Sequence, residues 1–192
     1  YLPGWHPWED YRQGYSARAE LGGGVILTLS HPLDYLWWLI GDISEVWAFS
    51  GNRGGLDVEV EDSAEIGVRF SNGTIGSVHL DYVQQPPNHY LELIGTDGTI
   101  SWKYANGGVR LYRSEENGWQ NFSIRKEFER NDMFLAEMSH FIELVRGNEK
   151  SKCTLTDGIR ALELALAAKK SAEESRIIPI NWQGQLDEFS SY

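Results

Sequence analysis

The chain has 192 residues and a formal net charge of −11 at pH 7, from 28 Asp and Glu against 17 Lys and Arg. Nucleic acid and anionic membrane surfaces both require concentrated Lys and Arg, so this balance disfavours both as partners. A hydrophobic fraction of 41% is enough for a folded core, and no apolar run is long enough to cross a bilayer.

Cysteine and histidine usage exclude several further classes. Cys153 is the only cysteine, which excludes an internal disulfide and a Cys-based zinc site and favours a reducing, cytoplasmic location. The five histidines are dispersed without metal-ligand spacing, so we expect no metal site. No signal peptide is visible, and the start at Tyr1 suggests a piece of a longer polypeptide.

The first part of the chain is predicted to be helical in two pieces. The segment "DYRQGYSARAEL" is rich in helix formers and stops at the turn Gly22–Gly24. A second helix is predicted from about His31 to Ile40, with Pro32 in its first turn and Ser30 as N-cap. His31 and Asp34 then share one face of that first turn.

The middle of the chain, about residues 43 to 128, is predicted to form a meandering antiparallel sheet of about six strands. Segments such as "SAEIGVRF" have the alternating pattern of a half-buried strand. Asn72-Gly73, Asp97-Gly98 and Asn106-Gly107 each predict a hairpin turn between such segments.

The last third is predicted to be helical again, with an apolar stripe from Phe134 to Val145 that stops at Gly147. "TDGIRALELALAAKKSAEES" predicts a second helix with Thr156 or Asp157 near its start, and "RIIPI" predicts a short closing strand. This order indicates one α+β domain over residues 1–192, an open, mainly antiparallel sheet with helices packed on one face. The other face is then solvated or meets a partner.

The glycine turn has two interpretations, a phosphate cradle or a tight corner. A dinucleotide-binding turn needs G-x-G-x-x-G between a strand and a helix, whereas Gly22–Gly24 follow a helix-like segment with different spacing. We therefore interpret the turn as a corner between helices, and we predict no cofactor-binding residues in this chain.

Two groups of residues are candidates for a functional site. His31 and Asp34 suit acid–base chemistry, because a helix N-terminus favours a neutral imidazole and a carboxylate one turn on can orient the ring. The competing interpretation is a hydrogen-bonded core histidine. The second group is an aromatic segment with a mixture of ring faces and hydroxyl-binding groups, which is typical of carbohydrate pockets. The competing interpretation is that it forms the buried edge of a helix. The aromatic segment comprises Trp5, His6, Trp8, Tyr11, Arg12 and Tyr15.

The segment "ELGGGVILTLSHPLDYLWWLIGD" resembles the start of the C-terminal domain of the Gfo/Idh/MocA oxidoreductases. The likeness continues through "YLPGWHPWEDYRQGYSAR", "HYLELIGTDGTISW", "DMFLAEMSHFIELVRG" and "LTDGIRALELALAAKKSAEESRIIPI", and covers nearly the whole chain. It implies the second half of a two-domain enzyme that oxidises or reduces a sugar, inositol or related polyol. NAD or NADP would lie mainly on an N-terminal Rossmann domain that this chain lacks, and the bare face of the sheet would assemble a homo-oligomer.

The resemblance also implies roles for individual residues. His31 corresponds to the active-site histidine, which handles the proton of the substrate hydroxyl or binds that hydroxyl, and Asp34 to an orienting aspartate one helical turn later. Many relatives carry a further aspartate where this chain has Leu27 and Thr28, which weakens a proton relay. We expect substrate contacts from Thr28 and from the aromatic segment without Tyr15, that is from Trp5, His6, Trp8, Tyr11 and Arg12. The family's catalytic lysine lies in a Glu-Lys-Pro phrase that this sequence lacks.

The leading hypothesis is the substrate-binding and oligomerisation domain of an NAD(P)-dependent oxidoreductase, inactive on its own. The alternative is a non-catalytic binding or assembly module of the same fold, which Thr28 favours. A third hypothesis, a carbohydrate-binding β domain unrelated to dehydrogenases, depends on aromatic content alone.

Overall fold

The computed structural model describes residues 1–182, so the end of the predicted 1–192 domain lies outside the described part. The helices are α1 (Val25–Thr28), α2 (His31–Ile40), α3 (Arg130–Val145) and α4 (Leu155–Glu174). The strands are β1 (Ile43–Gly51), β2 (Ser63–Phe70), β3 (Ile75–Asp81), β4 (Tyr90–Gly95), β5 (Gly98–Lys103), β6 (Gly108–Arg113), β7 (Gly118–Ser123) and β8 (Ile178–Pro179). The chain divides into two compact units, residues 1–84 with those from 153 on, and residues 85–152.

The first unit is built on an antiparallel sheet with the strand order β3-β2-β1-β8. α4 packs against β1, α1 against β2 and β3, and α2 against α4. Alternate residues of the three long strands are buried on the face that these helices cover, as the two-residue period of a strand requires. They include Val46, Ala48, Ile66, Val68, Val78 and Leu80.

A buried hydroxyl joins α4 to β1. Ser171 is fully buried on α4, where its hydroxyl accepts from the Ala48 amide at 2.9 Å and donates to the Arg176 carbonyl at 2.6 Å. The start of α4 is fixed by a capping box, in which the side chains of Thr154 and Asp157 bond each other's backbone amides. Asp157 therefore lies near the start of the helix, as predicted.

The second unit contains a four-stranded antiparallel sheet with the order β4-β5-β6-β7, and α3. None of residues 85–152 is buried. The apolar stripe predicted on α3 is present and exposed, from Phe134 at 50% to Val145 at 69%. Apolar side chains also share one face of the sheet; they are Leu91, Leu93, Ile100, Trp102, Val109, Leu111 and Phe122.

The predicted α+β class with an antiparallel sheet is confirmed, but the prediction of one sheet of about six strands is wrong. The part of the chain described holds eight strands in two separate sheets. The break falls between β3 and β4, where Pro86 and Pro87 lack the amide hydrogens that a strand needs for pairing. The three predicted hairpin turns are present, and Gly73 and Gly107 adopt positive φ values of 89° and 57° there.

The prediction of a first helix in "DYRQGYSARAEL" is also wrong. Three short 3-10 helices occupy this stretch, at Tyr11–Gln13, Tyr15–Ala17 and Ala19–Leu21. Gly14 and Arg18 have extended backbone between them (ψ of 153° and 122°), which interrupts any continuous helix. The prediction used the helix propensity of the residues in this stretch, whereas the extended backbone of Gly14 and Arg18 determines where each helix ends.

Candidate functional site

The predicted pair of His31 and Asp34 lies on the first turn of α2, where both residues are exposed. Leu33 and Leu36 of the same helix are buried, so the polar pair faces away from the core. The exposure of His31 removes the interpretation of a core histidine. No hydrogen bond joins the side chains of His31 and Asp34 within residues 1–182, and Ser30 occupies the N-cap position without a side-chain cap bond.

The far end of α2 is held by a cluster around Trp37. The Trp37 indole N–H donates to the Asp42 carboxylate at 2.9 Å. The Arg160 guanidinium, from α4, lies over the Trp37 ring at 4.8 Å and 3.8 Å from Asp42. These contacts fix the helix at its C-terminal end and leave its first turn open to solvent.

Thr28, at the end of α1, contacts the buried side chain of Tyr82. Burial raises the pKa of the Tyr82 hydroxyl well above its usual value, and proximity to Thr28 opposes that rise. The Tyr82 hydroxyl donates to the Ser16 carbonyl at 3.3 Å. Thr28 Oγ1 is buried and reaches hydrogen-bond geometry with no atom of residues 1–182. A neutral hydroxyl donor and an unsatisfied hydroxyl therefore lie side by side at the end of α1, three residues before His31.

The aromatic segment is mostly exposed. Trp5 meets Tyr82 edge to face with ring centroids 5.6 Å apart, and His6 meets Trp8 in the same way at 5.4 Å. Trp8 is 77% exposed and Tyr15 is 59% exposed. This exposure does not fit a buried helix edge, and it leaves ring faces available to a ligand.

Arg12 is held by two carboxylates. Its Nε and Nη2 atoms bind the two oxygens of Asp10, each at 2.8 Å, and Nη1 lies 3.4 Å from Asp57. The Arg12 guanidinium lowers the pKa of Asp10 to about 2. The Tyr11 hydroxyl accepts from the Asp57 amide at 3.3 Å, so Tyr11 and Arg12 both attach the aromatic segment to the loop after β1.

The amides in the glycine turn and just after it are all bonded within the protein, and one of them meets a carboxylate. Gly23 and Gly24 donate to the carbonyls of Arg18 and Ser16 at 2.9 and 3.0 Å. The next amides point to Glu61, whose carbonyl accepts from Val25 at 2.9 Å and whose carboxylate accepts from Ile26 at 3.4 Å. These amides therefore have acceptors already, and the corner interpretation of the turn is confirmed.

Glu61 is a functional-site neighbour that sequence reasoning missed. Its carboxylate also binds Lys169 of α4 at 3.3 Å, and the Glu61 side chain is only 11% exposed. The pair borders a cleft of about 160 Å³ that Ser50 and Glu173 also line. The ion pair joins the start of α1 to α4, so it helps to fix the turn that precedes His31.

The structure brings together only part of the predicted site. Trp5 and Thr28 meet through Tyr82, but no hydrogen bond or ring contact within residues 1–182 joins His31 to the aromatic segment. Sequence reasoning also missed Tyr82. The alternation of β3 could have found it, because Tyr82 follows Leu80 by two residues and both are buried.

Neither a metal site nor a membrane-crossing helix is present among the residues that the structure describes. Among residues 1–182, no three His, Cys, Asp or Glu side chains converge in an arrangement that could hold a metal ion. No helix in that same range combines the length and apolar character needed to cross a membrane.

Comparison with known proteins gives matches along almost the whole chain. The model of a family described as "Oxidoreductase family, C-terminal alpha/beta domain" matches residues 4–181. Myo-inositol 2-dehydrogenase of Thermotoga maritima is 27% identical over 174 residues, which are 84% of this chain and 50% of that protein.

Two solved structures illustrate the likeness in fold. The apo form of levoglucosan dehydrogenase matches 88% of this chain and 54% of its own, with a TM-score of 0.77 at 18% identity. The WlbA dehydrogenase from Bordetella pertussis, in complex with NADH and UDP-GlcNAcA, matches 87% of this chain and 51% of its own, with a TM-score of 0.68 at 22% identity. The chain spans about half the length of these relatives.

Proposed function

Since this chain belongs to the Gfo/Idh/MocA oxidoreductase family as its C-terminal alpha/beta domain, we propose that it is the substrate-binding and self-association part of an NAD(P)-dependent oxidoreductase. Its substrate is a sugar, an inositol or a related polyol. The observation that carries the proposal is an exposed histidine, His31, on the first turn of α2. The relative at 27% identity, a myo-inositol 2-dehydrogenase, supports the substrate class.

The glycine turn does not fit the pyrophosphate of a dinucleotide. The amides of Gly23 and Gly24 already bond to the Arg18 and Ser16 carbonyls, and the next two amides, of Val25 and Ile26, bond to Glu61, so no free cradle is left there for a pyrophosphate. We therefore place NAD or NADP on an N-terminal domain of the complete protein, as the resemblance implies. In that arrangement this chain is inactive alone.

We assign His31 to the reacting hydroxyl of the substrate. There it either takes up and returns the hydroxyl proton as a general base and acid, or it binds the hydroxyl through a hydrogen bond. Asp34 shares the first turn, and we assign it to orienting the ring when substrate is bound. Thr28 ends α1 three residues before His31, and its contact with Tyr82 helps to fix the segment that leads into this turn. Trp5, His6 and Trp8 offer ring faces to the sugar or polyol.

Tyr11 and Arg12 form part of the same substrate-binding surface. Because Asp10 and Asp57 hold the Arg12 guanidinium, we assign Arg12 to fixing the position of the aromatic segment. Its remaining exposed edge can meet a substrate hydroxyl. The reducing cytoplasm is the proposed location, in keeping with a single cysteine.

We place self-association on the bare face of the first unit's sheet, opposite α4. Trp47 and Phe49 project from this face with ring centroids 4.1 Å apart, and Phe49 and Ile75 are 63% and 72% exposed. Gly67, the cross-strand partner of Trp47, adds no side chain between the strands. The same face carries the Glu45–Arg69 ion pair and the His79 side chain between Glu65 and Asp81. The proposed contact is therefore an apolar patch at Trp47, Phe49 and Ile75 with a polar surround, which a second copy can bury.

Sedimentation tests the self-association. We expect the wild-type chain to form a dimer or larger species, and Phe49→Lys to shift it towards monomer, since a charge would then face the apolar patch. Leu162→Lys is the matched control, because Leu162 is also exposed, at 52%, but lies on α4. Wild-type chain that stays monomeric at high micromolar concentration contradicts the proposal.

A turnover assay tests the enzymatic part. The complete protein is assayed with NAD and with NADP over a panel of sugars, inositols and polyols, and the 192-residue chain is assayed in parallel. We expect turnover from the complete protein and none from the chain. Absence of turnover from the complete protein over the whole panel favours the second candidate, a non-catalytic module of the same fold. Thr28, at a position where the family resemblance implies an aspartate, supports that candidate.

A further inference from the structure

The second unit carries a polar cleft on one face of its sheet. Ser101, Arg110 and Asn121 are cross-strand partners on β5, β6 and β7, so their side chains project from the same face. Lys103 and Ser123 lie in the next row of that face, on either side of Gly108. These side chains line a cleft of about 390 Å³.

The polar side chains of this cleft are not engaged in ion pairs or side-chain hydrogen bonds with the described residues. Within residues 1–182, Lys103 and Arg110 have no carboxylate partner, and Ser101 and Asn121 have no side-chain hydrogen bond. Arg113 differs, since it projects from the opposite face of β6 and lies 3.7 Å from Glu116. Two unpaired cations on one cleft form a local positive site in a chain whose net charge is −11.

Trp119 supports Arg110 in an orientation that suits ligand binding. The Arg110 guanidinium carbon lies 4.3 Å from the centroid of the Trp119 ring. Contact with a ring uses the flat face of a guanidinium and leaves its N–H edge free, which is the edge that binds planar anions with two parallel hydrogen bonds. Gly108 contributes no side chain between Lys103 and Ser123, so the floor of the cleft stays open.

We propose that this cleft binds a small molecule through an anionic group, a phosphate or a carboxylate. Arg110 binds two oxygens of the anion, Ser101 and Asn121 donate from the neighbouring strands, and Lys103 adds positive charge from the next row. The cleft lies within the range of small-molecule sites, roughly 300–1,000 Å³. All residues of the cleft belong to the second unit, and none of them has a role in the proposed oxidoreductase function.

Glu92 on β4 is the acidic residue of this sheet nearest to the cleft. It is the cross-strand partner of Ser101, so the two Cβ atoms are about 5 Å apart, whereas the backbone of Arg110 is two strands, or roughly 10 Å, away. The negative charge of Glu92 therefore opposes an anion that lies towards Ser101, and Arg110 and Lys103 supply the attraction that offsets it. For this reason we expect the cleft to accept one anionic group and not a polyanion.

NMR titration of the full 192-residue chain tests the site. Inorganic phosphate and D-glucuronate are the anionic probes, and D-glucose is the neutral counterpart of the second. We expect saturable shifts of the Arg110 side-chain N–H and of the Ser101 and Asn121 amides. Arg110→Gln should weaken binding by about tenfold or more, the usual scale for a lost charge-assisted pair. Arg113→Gln, the matched control on the same strand, should leave binding unchanged.

The titration identifies the anion that the cleft prefers, and it can also contradict the site. Response to phosphate alone or to glucuronate alone supports the site and identifies which anion it takes. Three results overturn it: no saturable shift with either anion, equal weakening by Arg110→Gln and Arg113→Gln, or D-glucose binding as tightly as D-glucuronate. If Arg110→Gln does not fold, as its thermal melt will show, Lys103→Gln repeats the test from the neighbouring row.

Discussion

Gly24 allows a quantitative test of the glycine turn, because its missing side chain leaves room for the Glu61 carboxylate. A Cβ at Gly24 would lie 2.5 Å from the carboxyl carbon of Glu61, so in Gly24→Ala the carboxylate must leave Ile26 and Lys169. The lost charge-assisted hydrogen bond costs about 1.5–3 kcal/mol. Gly24 also has φ of 108° and ψ of 151°, a region almost restricted to glycine, where another residue costs about 1–3 kcal/mol.

The two contributions together predict a loss of roughly 2.5–6 kcal/mol in the free energy of unfolding. Urea denaturation followed by tryptophan fluorescence measures it. Gly22→Ala is the control, since Gly22 has φ of 78° and no atom within 4 Å of an added Cβ. That variant should lose only about 1–2 kcal/mol, the cost of a left-handed backbone.

A double-mutant cycle separates the carboxylate from the backbone strain. In a Glu61→Ala background, Gly24→Ala should cost only the strain, about 1–3 kcal/mol. Equal cost in both backgrounds would refute the reasoning that Glu61 occupies the place of a Cβ. A loss under about 1 kcal/mol in the wild-type background would refute the strain as well.

Two further predictions concern the first unit. Ser171→Ala leaves the Ala48 amide without its acceptor, so we expect a loss of about 1–3 kcal/mol in urea denaturation; a change under about 0.5 kcal/mol would contradict the role of this bond. Partial burial opposes protonation of His79, but the hydrogen bonds and charges of Glu65 and Asp81 outweigh it and raise the pKa of His79 above 6.5. The protonated ring therefore stabilises the fold fully below pH 6.5, and that contribution is lost as pH rises through the raised pKa. Because the His79 side chain is 54% exposed, the effect should stay under about 1 kcal/mol. Melting temperatures from about pH 6 to about pH 9 should fall more for wild type than for His79→Gln, and identical profiles would contradict this.

Local patterns predicted the elements whose signals lie within a few residues. The structure places α2 at His31–Ile40, the predicted bounds, because Pro32 and the buried spacing of Leu33 and Leu36 act within single turns. The hairpin at Asn72-Gly73 was predictable for the same reason, since glycine there adopts φ of 89°. The same helical spacing explains why His31 is exposed, because Leu33 and Leu36 define the buried face of α2 and His31 lies off that face.

Features that depend on distant partners were not predictable in this way. The carboxylate at the glycine turn comes from Glu61, 35 residues beyond its Ile26 partner, and no local pattern marks it. Tyr82 similarly bonds to Ser16 across 66 residues. The division into two sheets was missed because each strand carries its own alternation, and alternation does not reveal which strands pair.

Replacement of His31 tests the central claim most directly. In the complete protein, kcat is measured for wild type, for His31→Ala and for the control His140→Ala, whose ring binds Glu149 on the second unit. We predict a fall of about 100-fold or more for His31→Ala, the scale of a lost general acid–base group, and no change for His140→Ala. Unchanged turnover of His31→Ala would contradict the account and support a binding module that does not use this residue in chemistry.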